Sequence, residues 1–444
     1  MDTQKFHILT FGCQMNKNDS ERIVGLLSSL GLAETSRPEE ADVLLINTCS
    51  VRQSAEDRVF GILVNWQEYR AKKPNLIIAV TGCMPCRDKN DKIRKRIKGV
   101  DIFFPIEELV LLPQRMREIN PDLFLNTFED PGYYWQINPS HEISYQAFIT
   151  VQTGCNNFCT YCVVPYARGR EKNREVKSIL DEIKTLAAKG CVEVTLLGQV
   201  VNNYQAPDKE FFSSANPFKD KDDFSALLWE INQVNSIKRV HFTAADPQYF
   251  NNYQIEALKL PNQANYLHLP VQAGDNEVLR KMNRKYTREY YLDLVNKIRA
   301  NCPTIALGTD LIVGFSGETE KQFEKTLDLY RQASFDISYP AKYSERSGTA
   351  AAKAFTDNVT LVEKKRRWQA VQDLMEKMTY EKNQYYVGKT VTVLVDRFEN
   401  GICMGNTHEM KLAQFLGEEK LVGKIVEIEI FEAKEWILKG KKIV

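Results

Sequence analysis

From Ala147 onward the chain alternates about six times between a short β-branched run and a helical stretch, and that alternation leaves few folds open. The runs are AFITVQ, VEVTLLG, RVHFTA, YLHLPV, IALGTDLIVGF and DISYPAKYS. Helical patterns lie between them near 176–189, 224–235, 251–259, 287–300 and 319–333, and a long one covers 360–383. Short apolar runs separated by helices predict parallel strands joined by crossovers. Six such units suit a partial or full parallel barrel better than a small open sheet. An earlier section reads the same way on a smaller scale: FHILTFG (6–12), VLLIN (43–47) and LIIAVTG (76–82), with helical spacing over 19–30 and 54–69. That predicts an open parallel sheet. Residues 121–142 are rich in Pro, Asn and aromatics and read as a linker. The last 60 or so residues alternate β-branched and polar positions around Gly turns, which predicts a small antiparallel barrel. The expected fold class is α/β. It comprises an N-terminal open sheet domain (4–120), a central partial (β/α)6 barrel (141–375) and a C-terminal small β-barrel (378–444).

The length of 444 residues agrees with three domains at roughly 150 residues each. No stretch reaches the roughly 18 apolar residues that a membrane helix needs. The start, MDTQKFHILTFGC, lacks a basic region followed by an apolar one, so a cytoplasmic location is expected. With 59 basic and 58 acidic side chains, net charge gives no global steering toward nucleic acid.

Cysteine carries the chemistry. There are ten, and a reducing compartment argues against a disulfide framework. Cys155, Cys159 and Cys162 stand in GCNNFCTYC directly after a strand. Three thiolates in one loop can face one metal cluster. A zinc site would need a fourth close ligand, and none follows. A four-iron cube held by three leaves one iron open. Cys13, Cys49 and Cys83 each follow a predicted strand, in FGC, NTC and TGC. In an open parallel sheet the carboxyl ends of strands share one edge, where ligands bind. The second trio therefore converges on a second cluster, or else packs as small hydrophobes. Cys86 reads as a bystander, and Cys191, Cys302 and Cys403 as structural.

The cysteine loop resembles that of the radical S-adenosylmethionine (SAM) superfamily. This implies that the open iron binds SAM and that an electron cleaves it to a 5′-deoxyadenosyl radical. The resemblance also implies SAM contacts at Tyr161, at Gln199 in LLGQ, and at Asp310, Gly314 and Glu318 around LIVGFSGE. FGCQMNKNDSE (11–21), INTCSVR (46–52), TGCM (81–84), TGCNNFCTYCVVPYARGRE (153–171), LHLPVQAG (267–274) and VGFSGET (313–319) together resemble the methylthiotransferase family over essentially the whole chain. Membership implies two [4Fe–4S] clusters, SAM, and a C-terminal TRAM domain that binds RNA. The GCQMN and VVPYARGRE motifs are most similar to the branch that adds a methylthio group to carbon 2 of N6-isopentenyladenosine at position 37 of tRNA. One SAM would donate the methyl group and a second the radical. The alternative is a branch acting on threonylcarbamoyl-adenosine of tRNA or on a ribosomal-protein aspartate. A non-catalytic iron–sulfur protein that binds RNA is a third reading. Carbon 2 of adenine has no acidic proton, so acid–base groups cannot open it, and the sequence leaves any catalytic residue beyond the cluster ligands unknown.

Implied partners are the tRNA anticodon stem-loop, an electron-donor protein and an iron–sulfur or sulfur donor, with no membrane. Basic runs lie at 87–98, 166–174, 280–288, 363–368 and 439–442. The first reads as a solvated helix face. Arg168 and Arg170, leaving the cysteine loop, are expected to touch substrate or cofactor, and Lys439, Lys441 and Lys442 to grip RNA. The family pattern is broken at Val200, at Ala244-Ala245-Asp246, at Tyr286 and at Ser316, and Cys86 is extra. Those breaks bear on substrate specificity rather than on the clusters.

Overall fold

The computed structural model describes residues 3–50, 53–88, 90–123, 132–141 and 143–443. Val51 and Arg52 of INTCSVR, Lys89 of the first basic run, most of the expected linker (124–131 and Glu142) and Val444 lie outside them. The chain divides into two compact units. The first takes residues 1–142, 153–156 and 162–172, and the second takes 143–152, 157–161 and 173–444.

The first unit is built on strands β1 (Lys5–Thr10), β2 (Ala33–Glu34), β3 (Val43–Thr48), β4 (Ile77–Gly82) and β5 (Ile102–Phe103), with helices α1 (Gln14–Ser29), α2 (Gln53–Lys72), α3 (Cys83–Arg87), α4 (Lys92–Arg96) and α5 (Leu112–Ile119). The strands are parallel in the order β2-β1-β3-β4-β5. Both faces of β3 and β4 are buried, as their unbroken apolar runs require. Val43, Leu45, Ile77 and Ala79 pack with α1 and α5, and Leu44, Ile46, Ile78 and Val80 with α2. The connection reverses direction between β1 and β3, and that switch point opens a crevice beyond their carboxyl ends.

Two expectations fail here. Helix α1 starts at Gln14, five residues before the predicted start, because its first turn is polar and offers no apolar spacing. The described part of the expected linker is not a linker. Tyr134 and Ile137 join the core beneath α1, and Arg22 donates to the Ile137 carbonyl at 2.6 Å. Aromatic residues that read as spacer are burying apolar area.

In the second unit six parallel strands follow the predicted runs: β6 (Gln146–Thr150), β9 (Glu193–Leu197), β10 (Arg239–Phe242), β11 (Tyr266–His268), β12 (Ala306–Val313) and β13 (Ile337–Lys342). Short strands β7 (Gln152–Thr153) and β8 (Lys172–Asn173) stand before and after the cysteine loop in sequence. A lone bridge from Val240 to Gln263 links the β6-β9-β10 and β11-β12-β13 groups into one curved sheet. The short helix α6 (Val164–Ala167) belongs to the first unit. Around the curved sheet run α7 (Val176–Ala188), α8 (Asp223–Asn232), α9 (Asn252–Ala257), α10 (Asn276–Lys281), α11 (Arg288–Asn301), α12 (Glu320–Ala333), α13 (Ala350–Ala354) and α14 (Leu361–Asn383). Alternate strand residues such as Val194, Leu196, Leu267, Leu307 and Leu311 join the helices in one core. The residues between them face the inside of the curve.

Strands β14 (Thr390–Glu399), β15 (Ile402–Thr407), β16 (Leu412–Leu416), β17 (Ile425–Ala433) and β18 (Leu438–Lys442) close a barrel in the order β14-β15-β16-β18-β17. It is antiparallel except where β18 runs parallel to β16, a departure from the predicted all-antiparallel barrel. Closure needs this pair, because β17 is already committed to β14 and β18 must seal the remaining edge. The barrel docks at the amino ends of the curved sheet. Arg239 at the start of β10 donates to the Asn406 and Thr407 carbonyls, each at 2.8 Å. The carboxyl ends, opposite, stay clear.

Candidate functional site

In the first unit the register pairs Thr10 with Asn47 and Thr48 with Gly82. Cys49 and Cys83 are thus the next residues on neighbouring strands, and Cys13 caps α1 just past β1. Two asparagines lock the edge. Asn16 donates to Asn47 Oδ1 and to the Thr48 carbonyl, each at 3.1 Å, and Asn47 donates to the Asn16 carbonyl at 2.8 Å. Gly82 has φ +96°, and a Cβ there would lie 2.4 Å from the Thr48 carbonyl oxygen, so only glycine lets Cys83 turn out of β4.

Arg168 stands on the same side. Its Nη2 is 2.6 Å from Asp19 Oδ2, and both side chains are buried, at 5% and 0% exposure. Burial opposes the Arg168 charge, but Asp19 and then Cys83 more than offset it and hold the guanidinium protonated. Tyr134 donates its hydroxyl to Asp19 Oδ1 at 2.5 Å. Arg168 was expected to touch substrate or cofactor; its guanidinium is engaged by Asp19. Arg170 is exposed. Burial pushes the Cys86 thiol up to about 12. Burial likewise raises Cys191 to about 11, and raises Cys302 and Cys403.

The cysteine loop passes from one unit to the other, Cys155 and Cys162 in the first and Cys159 in the second. Cys155 N–H donates to the Gly169 carbonyl at 3.1 Å, and Cys162 Sγ accepts from Val164 N–H at 3.4 Å. In the second unit, Arg284 Nη1 donates to Cys159 Sγ at 3.3 Å. Arg284 is itself held by Asp246 at 3.1 Å and by the Tyr286 hydroxyl at 2.9 Å. Asp246 also accepts from Asn157 of the loop at 2.9 Å. Two of the positions that break the family pattern, Asp246 and Tyr286, thus form one buried network behind Cys159. Sequence reasoning missed it. Arg284 was visible only as one charge in a basic run, and its ion-pair partner lies 38 positions away.

Of the expected SAM contacts, Gly314 turns at φ +70° with its N–H donating to Glu318 Oε2 at 2.6 Å. Arg367 holds the same carboxylate at 2.9 Å. Glu318 therefore shapes the glycine turn. Its second oxygen is buried with no hydrogen-bond partner among the described residues, as are Gln199 Oε1 and Ser316 Oγ. Three orphaned acceptors beyond the carboxyl ends of β9 and β12 suit a ligand rich in N–H and O–H donors. Tyr161 packs against the core beside Arg284, and Asp310 lies deeper, on the inner face of β12. In the small barrel Lys439 and Lys441 line a shallow cavity of about 470 Å³ with Phe415, Leu416 and Phe431. Lys439 is paired with Glu432 at 2.9 Å and Lys441 is exposed.

Among the described residues, no three His, Cys, Asp or Glu side chains approach closely enough to hold a single metal ion. The donor sets are soft thiols without imidazole or carboxylate, a chemistry that suits an iron–sulfur cluster. No helix among the described residues is long and apolar enough to cross a membrane.

Comparison with known proteins gives three family matches: the uncharacterized protein family UPF0004 over residues 5–105, the radical SAM superfamily over 149–330 and the TRAM domain over 384–443. The chain is 40% identical over 99% of its length to a tRNA-2-methylthio-N(6)-dimethylallyladenosine synthase of Thermoanaerobacter sp. (strain X514), covering 92% of that protein. Proteins of the same name from Geobacillus kaustophilus and Carboxydothermus hydrogenoformans are each 39% identical over 99% of the chain, covering 82% and 99% of their own lengths. Among solved structures, the radical SAM methyltransferase TsrM of Kitasatospora setae aligns with a TM-score of 0.56 at 13% identity, over 79% of this chain and 74% of its own. The cobalamin-dependent radical enzyme OxsB aligns at 0.52 and 12%, over 83% and 56%. These two likenesses concern the fold. The superfamily brings SAM and a [4Fe–4S] cluster.

Proposed function

Since the chain belongs to the tRNA-2-methylthio-N(6)-dimethylallyladenosine synthase family, we propose that it adds a methylthio group to carbon 2 of N6-isopentenyladenosine in the tRNA anticodon loop. The near full-length identity to relatives of that name carries the reading. The family's six cysteines stand intact at Cys13, Cys49, Cys83, Cys155, Cys159 and Cys162. Their roles are part of the proposal, as are the domain limits 4–120, 141–375 and 378–444. Cys155, Cys159 and Cys162 hold one [4Fe–4S] cluster, and Cys13, Cys49 and Cys83 a second. When bound, the clusters and SAM supply reductive cleavage of one SAM, and a sulfur that a second SAM methylates. The reaction replaces C2–H by C2–SCH3.

The chain's own part is positional. Gly82 and the Asn16–Asn47 lock hold the second trio at the switch point. Arg168, fixed by Asp19, places a cation beside Cys83, and Arg284 places one beside Cys159. Gln199, Gly314, Glu318 and Tyr161 line the way to SAM. Lys439, Lys441 and Arg170 meet RNA phosphates, whose charge dominates the affinity of such contacts. Electron- and sulfur-donating proteins complete the cycle in the cytoplasm. Nucleoside mass spectrometry of tRNA from cells with and without the gene tests the reading. Loss of the 2-methylthio mark with accumulation of N6-isopentenyladenosine is expected, and an unchanged mark would refute it.

A further inference from the structure

The inner face of the curved sheet is polar where a packed parallel barrel is apolar. Strand alternation sends Phe242, Leu267, Leu311 and Val313 outward to the helices, and turns His241, Tyr266, His268, Asp310 and Tyr339 inward. A Cβ on Gly308 would lie 2.0 Å from the Tyr266 hydroxyl and 2.9 Å from His268 Nδ1, which fixes both rings on that face. The five residues touch in sequence across β10 to β13. The His241 and Tyr266 rings are 5.5 Å apart. The Tyr266 hydroxyl is 3.2 Å from His268 Nδ1, His268 Nε2 is 3.2 Å from Asp310 Oδ1, and the His268 and Tyr339 rings are 5.6 Å apart.

Three features point to an occupant. Tyr339 is 55% exposed although it faces inward. The Asp310 side chain is 42% exposed, and its second oxygen has no hydrogen-bond partner among the described residues. His241, only 7% exposed, has its Nε2 buried without a hydrogen-bond partner among the described residues. The relay also fixes roles. A carboxylate can only accept, so His268 Nε2–H donates to Asp310, and a neutral imidazole then accepts from the Tyr266 hydroxyl at Nδ1. An exposed ring face beside an acceptor edge is what a purine with an exocyclic N–H requires. The site opens sideways: β13 ends its sheet, with β12 as its one strand partner among the described residues. A base turned out of an RNA loop can enter there.

We propose that Tyr339, Asp310 and His268 form the subsite for the target purine of the RNA, with Tyr339 stacking on the ring and Asp310 accepting from its exocyclic N–H. The identity of that purine rests on the functional reading above. The proposal moves Asp310 from the SAM contacts to the substrate.

The test compares Kd for two anticodon stem-loops, one bearing the N6-alkylated adenosine and one abasic at that position, on the holoenzyme. SAM affinity is measured alongside. Stacking of one base is worth about 1–3 kcal/mol, so the wild type should prefer the base-bearing loop by roughly 5- to 150-fold. Y339A should erase most of that preference while leaving the abasic Kd and SAM affinity unchanged. Y339F, which keeps the ring, should retain the preference, and D310N should lower it. A Y339A protein with the wild-type ratio overturns the proposal. So does one that loses SAM affinity instead, because the ring would then serve the adenine of SAM. A wild type that shows no preference overturns it as well. If the wild type prefers the base yet forms no methylthio product, the functional reading falls and the subsite stands.

Discussion

Two arginines show how single side chains set up this molecule. Arg168 and Arg284 are both buried, both locked by a carboxylate, and both near a cysteine. Removing one partner of a buried pair strands the other charge, at about 3–5 kcal/mol. Asp19→Ala should therefore lower unfolding stability by that amount in a denaturant titration, and a loss below about 1 kcal/mol would contradict the pairing. Arg284 acts on Cys159 by donating to its sulfur. Hydrogen bonds to cluster sulfurs stabilise the reduced state. Arg284→Gln should thus lower the cluster's midpoint potential with iron content kept, and Arg284→Lys should restore part of it. An unchanged potential in both would confine Arg284 to packing. His241 gives a pH prediction. Burial lowers it from the usual 6.5 to about 3. Between those values the unfolded chain binds the extra proton, so stability falls as pH drops from about 6.5 toward 3. His241→Gln should flatten that part of the stability–pH curve, and an unaltered slope would show that other groups carry it.

At the scale of elements, glycine turns decide where the cysteines point. Gly82 and Gly190 share a positive φ, +96° and +98°, but only at Gly82 would a Cβ meet backbone; at Gly190 there is open space. Both alanine variants incur the conformational strain, about 1–3 kcal/mol. Gly82→Ala should cost clearly more and also lose the iron held near Cys83. Equal losses in stability, with full iron, would show that the turn does not seat Cys83. The helices and strands were legible because their apolar residues repeat with the right period. Helix α7 was expected over 176–189 and spans Val176–Ala188. The polar start of α1 and the packed aromatic segment at 132–141 were not legible, since neither carries a period. The cysteine trios were visible from spacing and from strand ends. The Asp246–Arg284–Tyr286 network and the polar inner face were not, because their partners meet only across strands distant in sequence.

At the scale of the whole chain there are two kinds of parallel sheet, one open and one curved. One edge carries Cys13, Cys49 and Cys83, and the curved sheet carries Gln199 and Gly314 just beyond its strand ends and the polar row on its inner face. The small closed barrel sits at the opposite, amino end of the curved sheet through Arg239. The division of labour between the trios is the central claim. Wild-type protein reconstituted without oxygen should hold about eight irons per chain. The most direct measurement is iron content, SAM cleavage and methylthiolated product in the Cys13→Ala, Cys49→Ala, Cys83→Ala triple variant. About half the iron, continued release of 5′-deoxyadenosine and no methylthio product are expected. Product formed by that variant, or a wild type that assembles just one cluster, would contradict the account.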